Sequence, residues 1–189
     1  MTDQNKNEQT RRRIAYHLAG HTVLAHHVKL SIGDITILPY GNPSDSRHIS
    51  GSPCEWDACM LLLVGPVAER LVVERDDLGL IVGNFEDRKS AEFEAEMVFA
   101  DYRDPDERQA LVQQFLHDAR QTVTALFAHP TLNGAVVRLA DELLKHQTLS
   151  GEVARVIIED SLAMNSSLGA GTRETDNCAL ILRRRNSSA

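Results

Sequence analysis

The sequence predicts a mainly α domain with a minor β component. Three observations predict it. Apolar residues recur at helical spacing over several long stretches. Only one segment, Ile35-Thr36-Ile37, reads clearly as a strand. Clusters of Gly, Pro, Asn, Asp and Ser divide the helical stretches. The chain has 189 residues and 42% hydrophobic content, which suits one core. Residues 1–10 are polar and read as a disordered N-terminus, 11–163 as the folded domain, and 164–189 as a flexible tail in which Ala179 to Leu182 could dock.

The first helix is expected from about Arg12 to Leu30, with Ile14, Leu18, Ala25 and Val28 at helical intervals. Ser31 to Asp34 should break it. A strand follows at Ile35 to Ile37, ended by Pro39, and a short return strand is expected near Arg47 to Ser50. A mostly apolar helix is expected from Glu55 to Val73, kinked or divided by Gly65-Pro66. A charged helix follows over 86–100. The next, over 106–128, should bury Leu111, Phe115, Ala119, Val123 and Leu126. Helices over 131–146 and from about Ser150 complete the domain, with Ser150 as N-cap.

Composition excludes several function classes. A net charge of −7 argues against nucleic-acid binding, which needs a cationic surface. The runs Arg11-Arg12-Arg13 and Arg183-Arg184-Arg185 read as solvated ends. There is no GxxxxGK[ST] phosphate loop, so no ATP site is expected. The longest apolar run, residues 58–68, is too short to span a bilayer, so no membrane span is expected. Three cysteines, Cys54, Cys59 and Cys178, with no CxxC pair, read as reduced thiols. With no signal peptide apparent, a cytoplasmic location is expected.

The chemistry-bearing motif is HLAGH, residues 17–21. His17 and His21 at i and i+4 project from one helical face, with Cβ atoms about 5–6 Å apart. Two imidazoles so placed can share a Zn²⁺ at about 2.0–2.1 Å each, given a third protein ligand. Two ordinary helical histidines give the same spacing. Gly20 would let another backbone or helix approach closely. His48 is an alternative ligand, while His26, His27, His117, His129 and His146 read as surface residues.

The context gives the motif meaning. RRIAYHLAGHTVLAHHVKLSIGDITILP (12–39) resembles the peptidase domain of the FtsH-like AAA zinc proteases. There an AxHExGH helix precedes a VTIxP strand. GPVAERLV (65–72) is similar to that family's GRxAEELxFG segment, and VGNFEDRKSAEFEAEMV (82–98) to its TGAxNDLxxATxxARxMV segment. The closing helices to about residue 160 also resemble it. The resemblance implies a zincin-like helical fold with a strand or hairpin after the HxxxH helix. It implies His17, His21 and Asp87 as zinc ligands, with Glu86 as a substitute for Asp87. It also suggests self-association, a homo-oligomer.

Leu18 stands where that family carries its catalytic glutamate, and the motor and membrane anchors of the family are missing. Leucine cannot move a proton, and general acid–base help is worth roughly 10²–10⁴-fold. Glu69 and Glu86 are the alternative acids. The expectation is a pseudopeptidase that binds peptides or a partner protein. A weakly active zinc metallopeptidase with a displaced base is the alternative.

Overall fold

The computed structural model describes residues 3–37, 49–71 and 82–166. In order, the elements are α1 (Asp3–His27), β1 (Ser31–Ile32), β2 (Ile35–Thr36), β3 (Ile49–Ser50), α2 (Glu55–Glu69), α3 (Val82–Val98), α4 (Pro105–Ala128), α5 (Pro130–His146), β4 (Thr148–Leu149) and α6 (Gly151–Ser166). The expected mainly α architecture with minor β is present.

The fold is organised around α1. Every residue from Ala15 to Ala25 is buried. The helix is enclosed by α2 on one side and α5 on the other; α2 in turn carries α3 and α4, and α5 carries α6. Small side chains make this enclosure feasible. A Cβ built on Gly20 would lie 2.5 Å from the Ala68 Cβ and 3.5 Å from the Val64 carbonyl oxygen. The expected close approach at Gly20 is therefore the α1–α2 crossing.

Two small antiparallel sheets seal the ends of the helices. Ser31 pairs with Ser50 and Ile32 with Ile49; Ile35 pairs with Leu149 and Thr36 with Thr148. The strand read at Ile35–Ile37 thus joins the segment before α6 rather than the return strand, which pairs with β1. Left-handed residues turn the chain into these strands, Lys29 at φ 62° after α1 and Gln147 at φ 63° after α5. Residues at such positions end helices by redirecting the backbone.

Several expectations need correction. The helix α1 begins at Asp3, well before Arg12, and includes described residues that composition alone read as disordered. Pro66 lies inside α2 without dividing it, and the helix stops at Glu69. On α4 the buried stripe is Val112, Phe115, Ala119, Val123 and Phe127, one residue later than expected at both ends. The basic run is not merely solvated. Arg11 Nη2 donates to the Leu144 carbonyl at 2.6 Å, and Arg13 binds Glu69 Oε2 at 3.1 Å. Cys54 is disulfide-bonded, which corrects its reading as a reduced thiol. Cys59 is free and buried, and burial pushes its thiol pKa up to about 12. Ser150 caps α6 as expected, its Oγ accepting from Val153 N at 3.3 Å. The docking segment Ala179–Leu182 and the run Arg183–Arg185 lie outside the described residues. Among those described, no helix is long and apolar enough to cross a membrane.

The crossing supplies a stability test. Gly20→Val should cost about 1–3 kcal/mol through overpacking, read as a lower denaturant midpoint. Adding Ala68→Gly should recover part of that loss, since it removes the atom met first. A wild-type midpoint for the single variant would show that α1 and α2 do not cross closely there.

Candidate metal centre

The site is built by two helical stripes of opposite direction. On α1, Arg13, His17 and His21 repeat every four residues. On α2, Leu61, Gly65 and Glu69 do the same. Residues four apart share a helical face, so the two stripes meet as a ladder. Arg13 contacts Glu69, the His17 ring lies on Gly65, and His21 bonds to the backbone of Leu61.

Each rung has a physical task. His17 is fully buried, and a buried imidazole needs polar partners. Its Nδ1 lies 2.8 Å from Glu69 Oε1. Glu69 accepts here, so Nδ1 carries the hydrogen and Nε2 is left for the other side of the ring. Arg13 holds the second Glu69 oxygen through Nε at 3.3 Å and Nη2 at 3.1 Å. Gly65 provides the seat, because a Cβ there would collide with the His17 imidazole. For His21, Nε2 faces His17 Nε2 at 3.0 Å, which leaves Nδ1 for the bond to Leu61.

The third component comes from α3. Asp87 is buried despite its charge. Its Oδ2 lies 3.1 Å from His17 Nε2 and 3.5 Å from His21 Nε2. Three donor atoms therefore form a near-equilateral triangle. The two imidazoles are close enough to act on the Asp87 charge, but their angles do not make well-formed hydrogen bonds, and Oδ2 is a buried oxygen without one. Lone pairs so close together repel unless a proton or a cation lies among them. Ligands at about 2.0–2.1 Å from a tetrahedral zinc are separated by about 3.3 Å, and the observed sides, 3.0, 3.1 and 3.5 Å, bracket that value. His17, His21 and Asp87 are thus a buried group that can hold a metal ion. Glu69 supplies the outer carboxylate that orients a ligating histidine.

Sequence reasoning brought together His17, His21 and Asp87, and the structure does place them side by side. Glu86, the expected substitute, is exposed. His48 lies outside the described residues. Glu69 was read as a candidate base, but it sits on the Nδ1 side of His17, behind the triangle. Arg13 and Gly65 went unrecognised as site residues. Their signal was present in the four-residue repeats Arg13-His17-His21 and Leu61-Gly65-Glu69, which become visible only as a pair.

The titrations of the three groups are linked through these short contacts. Burial pushes the His17 pKa down, but Asp87 and Glu69 outweigh it and the net shift is upward. Burial lowers the His21 pKa, and neighbouring His17 adds to this. For Asp87, burial favours the neutral acid, but the two imidazoles beside it prevail and the pKa is lowered.

Comparison with known proteins returns no family model that matches the chain and no curated protein that matches it.

These shifts have opposite signs in stability. Unfolded histidine titrates near 6.5. The raised His17 pKa gives stability that is full below about 6.5 and is lost as pH rises through the folded value. The lowered His21 pKa costs stability as pH falls below about 6.5, and Asp87 adds a further loss as pH falls through its own lowered value. The chelator-treated protein should therefore have its highest Tm near pH 6.5. A bound cation displaces the proton and should remove the decline on the alkaline side. Thermal melts from about pH 5 to 9 with chelator and with zinc would check this; a Tm unchanged above pH 6.5 in chelator would contradict it.

The seat of His17 gives a second test. Gly65→Ala should displace the ring and weaken divalent-metal binding by about 10–100-fold, the range typical for disturbed outer contacts. Metal titration followed by calorimetry reads the change; wild-type affinity in this variant would mean that Gly65 does not seat His17.

Proposed function

We propose that this domain is an FtsH-peptidase-like fold that holds zinc through His17, His21 and Asp87 but lacks the general base of a peptidase, and that it serves to bind peptides or a partner protein. The observation that carries the reading is the donor triangle with its orphaned Asp87 Oδ2. A mixed set of two imidazoles and one carboxylate suits zinc. A bound zinc would supply Lewis acidity toward a carbonyl or water. The chain's own residues set the rest. Glu69 keeps Nδ1 of His17 protonated, and Leu18, buried on the same helix, can neither take nor return a proton.

The displaced-base alternative finds little support in the acids at hand. Both oxygens of Glu69 are already engaged, one by His17 and the other by Arg13. Glu86 follows the helix outward and is exposed. The resemblance to FtsH-like peptidases rests on the order of the matching sequence segments.

The experiment is metal analysis joined to peptide hydrolysis. The purified protein should carry stoichiometric zinc that Asp87→Ala or His21→Ala removes. It should leave unstructured peptides uncut. Leu18→Glu, if folded and zinc-loaded, should raise chelator-sensitive hydrolysis by about 10²–10⁴-fold over the wild type. Zinc-free protein at saturating zinc would sink the metal reading. Chelator-sensitive cleavage by the wild type would instead favour the displaced base.

A further inference from the structure

A cleft of about 200 Å³ opens beside His21, lined by Leu30, Ile49, Ala58, Leu61 and Leu62 with Ser50, Gly51 and Pro53. Its walls are apolar, and no Lys or Arg is among its described lining residues. It is smaller than the roughly 300–1,000 Å³ of sites that enclose whole small molecules. It therefore suits one side chain of a longer ligand. The rim residues Ser50 and Gly51 are exposed, so the remainder of such a ligand can leave toward solvent. His21 links this cleft to the donor triangle, because the same ring lines one and supplies a corner of the other.

Charge decides what such a ligand should present at the triangle. Two neutral imidazoles and one carboxylate leave a bound dication with a net positive charge. Glu69 does not offset it, because Arg13 neutralises Glu69. Leu18 contributes no charge. An uncompensated charge is costly in a buried, low-dielectric setting, so an anion would serve as a fourth ligand better than water or a peptide carbonyl.

We infer that the site receives the C-terminal residue of a peptide, with its free carboxylate on the metal and an apolar side chain in the cleft beside His21. This rests on the metal reading and narrows it from peptides in general to free carboxyl termini. None of the described lining residues is a Lys or Arg, so the recognition inferred here is metal-dependent, with the metal as the partner of the carboxylate. Ala58, half-buried on α2, lines the cleft.

The test uses cobalt(II)-loaded full-length protein, whose visible absorption reports changes at the metal. The probes are an acetylated tripeptide ending in leucine as the free acid, the same peptide as the C-terminal amide, and acetate. The free acid should alter the spectrum and bind at least tenfold tighter than the amide, and it should lose that binding in the chelated protein. Ala58→Phe should weaken the free acid at least tenfold while leaving acetate unchanged. Equal binding of acid and amide to the cobalt protein would overturn the inference while leaving the metal reading intact. So would equal binding of acetate and the leucine acid. Failure to take up cobalt or zinc at all would overturn the metal reading, and this inference with it.

Discussion

Two imidazoles in the buried half of α1 are the constraint on which the rest of the structure depends. Between Ala15 and Ala25 every residue of α1 is out of solvent. Alanine, leucine and valine accept that burial at no polar cost. His17 and His21 do not, because each brings two ring nitrogens that need partners. A helix out of solvent must obtain those partners from itself and from its neighbours, and here α2 and α3 supply them. The placement of α2 and α3 therefore cannot be set by hydrophobic packing alone.

The α2 helix meets this demand with one residue per turn. Leu61 offers its carbonyl, Gly65 offers space, and Glu69 offers a carboxylate. The same crossing is held apolar at Gly20, Val64 and Ala68. Packing and polar satisfaction are thus interleaved along one interface, which fixes the register of α1 against α2. A slide of one turn that brought Gly65 opposite His21 would carry Glu69 away from Arg13 and set its side chain where His17 needs the glycine seat. Arg13 completes the ladder by holding the outer oxygen of Glu69, so that a buried carboxylate has a charged partner. Breaking one side of such a buried pair is typically costly, about 3–5 kcal/mol, which makes Arg13 as much a part of the core as of the site.

Much of this was legible in the sequence, and the exceptions share a cause. The helices, the strand at Ile35–Thr36 and the ligand candidates His17, His21 and Asp87 follow from local spacing and from resemblance. Strand partners did not. The strand β2 pairs with Thr148–Leu149, more than a hundred residues away, and no local pattern encodes that. Arg13, in a basic run, pointed outward, because an isolated charge is ordinarily solvated, and Glu69 read only as an alternative acid. Their burial appears only when two helices bring opposite charges into one rung. Gly65 read as a breaker beside Pro66, but its small size serves the neighbouring imidazole. Pro66 is tolerated in α2 without dividing it, so propensity lost to tertiary packing at that position.

The separation of tasks along α1 explains how Leu18 fits this fold. The ladder uses positions 13, 17 and 21, and the crossing uses Gly20. Position 18 belongs to neither set of polar contacts. An apolar residue there breaks no hydrogen bond in the ladder, leaves the Glu69 carboxylate on Nδ1 of His17, and adds one more side chain to the core, where Leu18 is 3% exposed. A carboxylate at the same place would need solvent, a metal-bound partner or a cation to offset its burial. The scaffold that can hold a cation is therefore independent of the residue that would perform proton transfer. On the proposed reading, chemistry can be absent here while metal affinity and a defined fold remain, because no interaction that orients the ligands passes through Leu18.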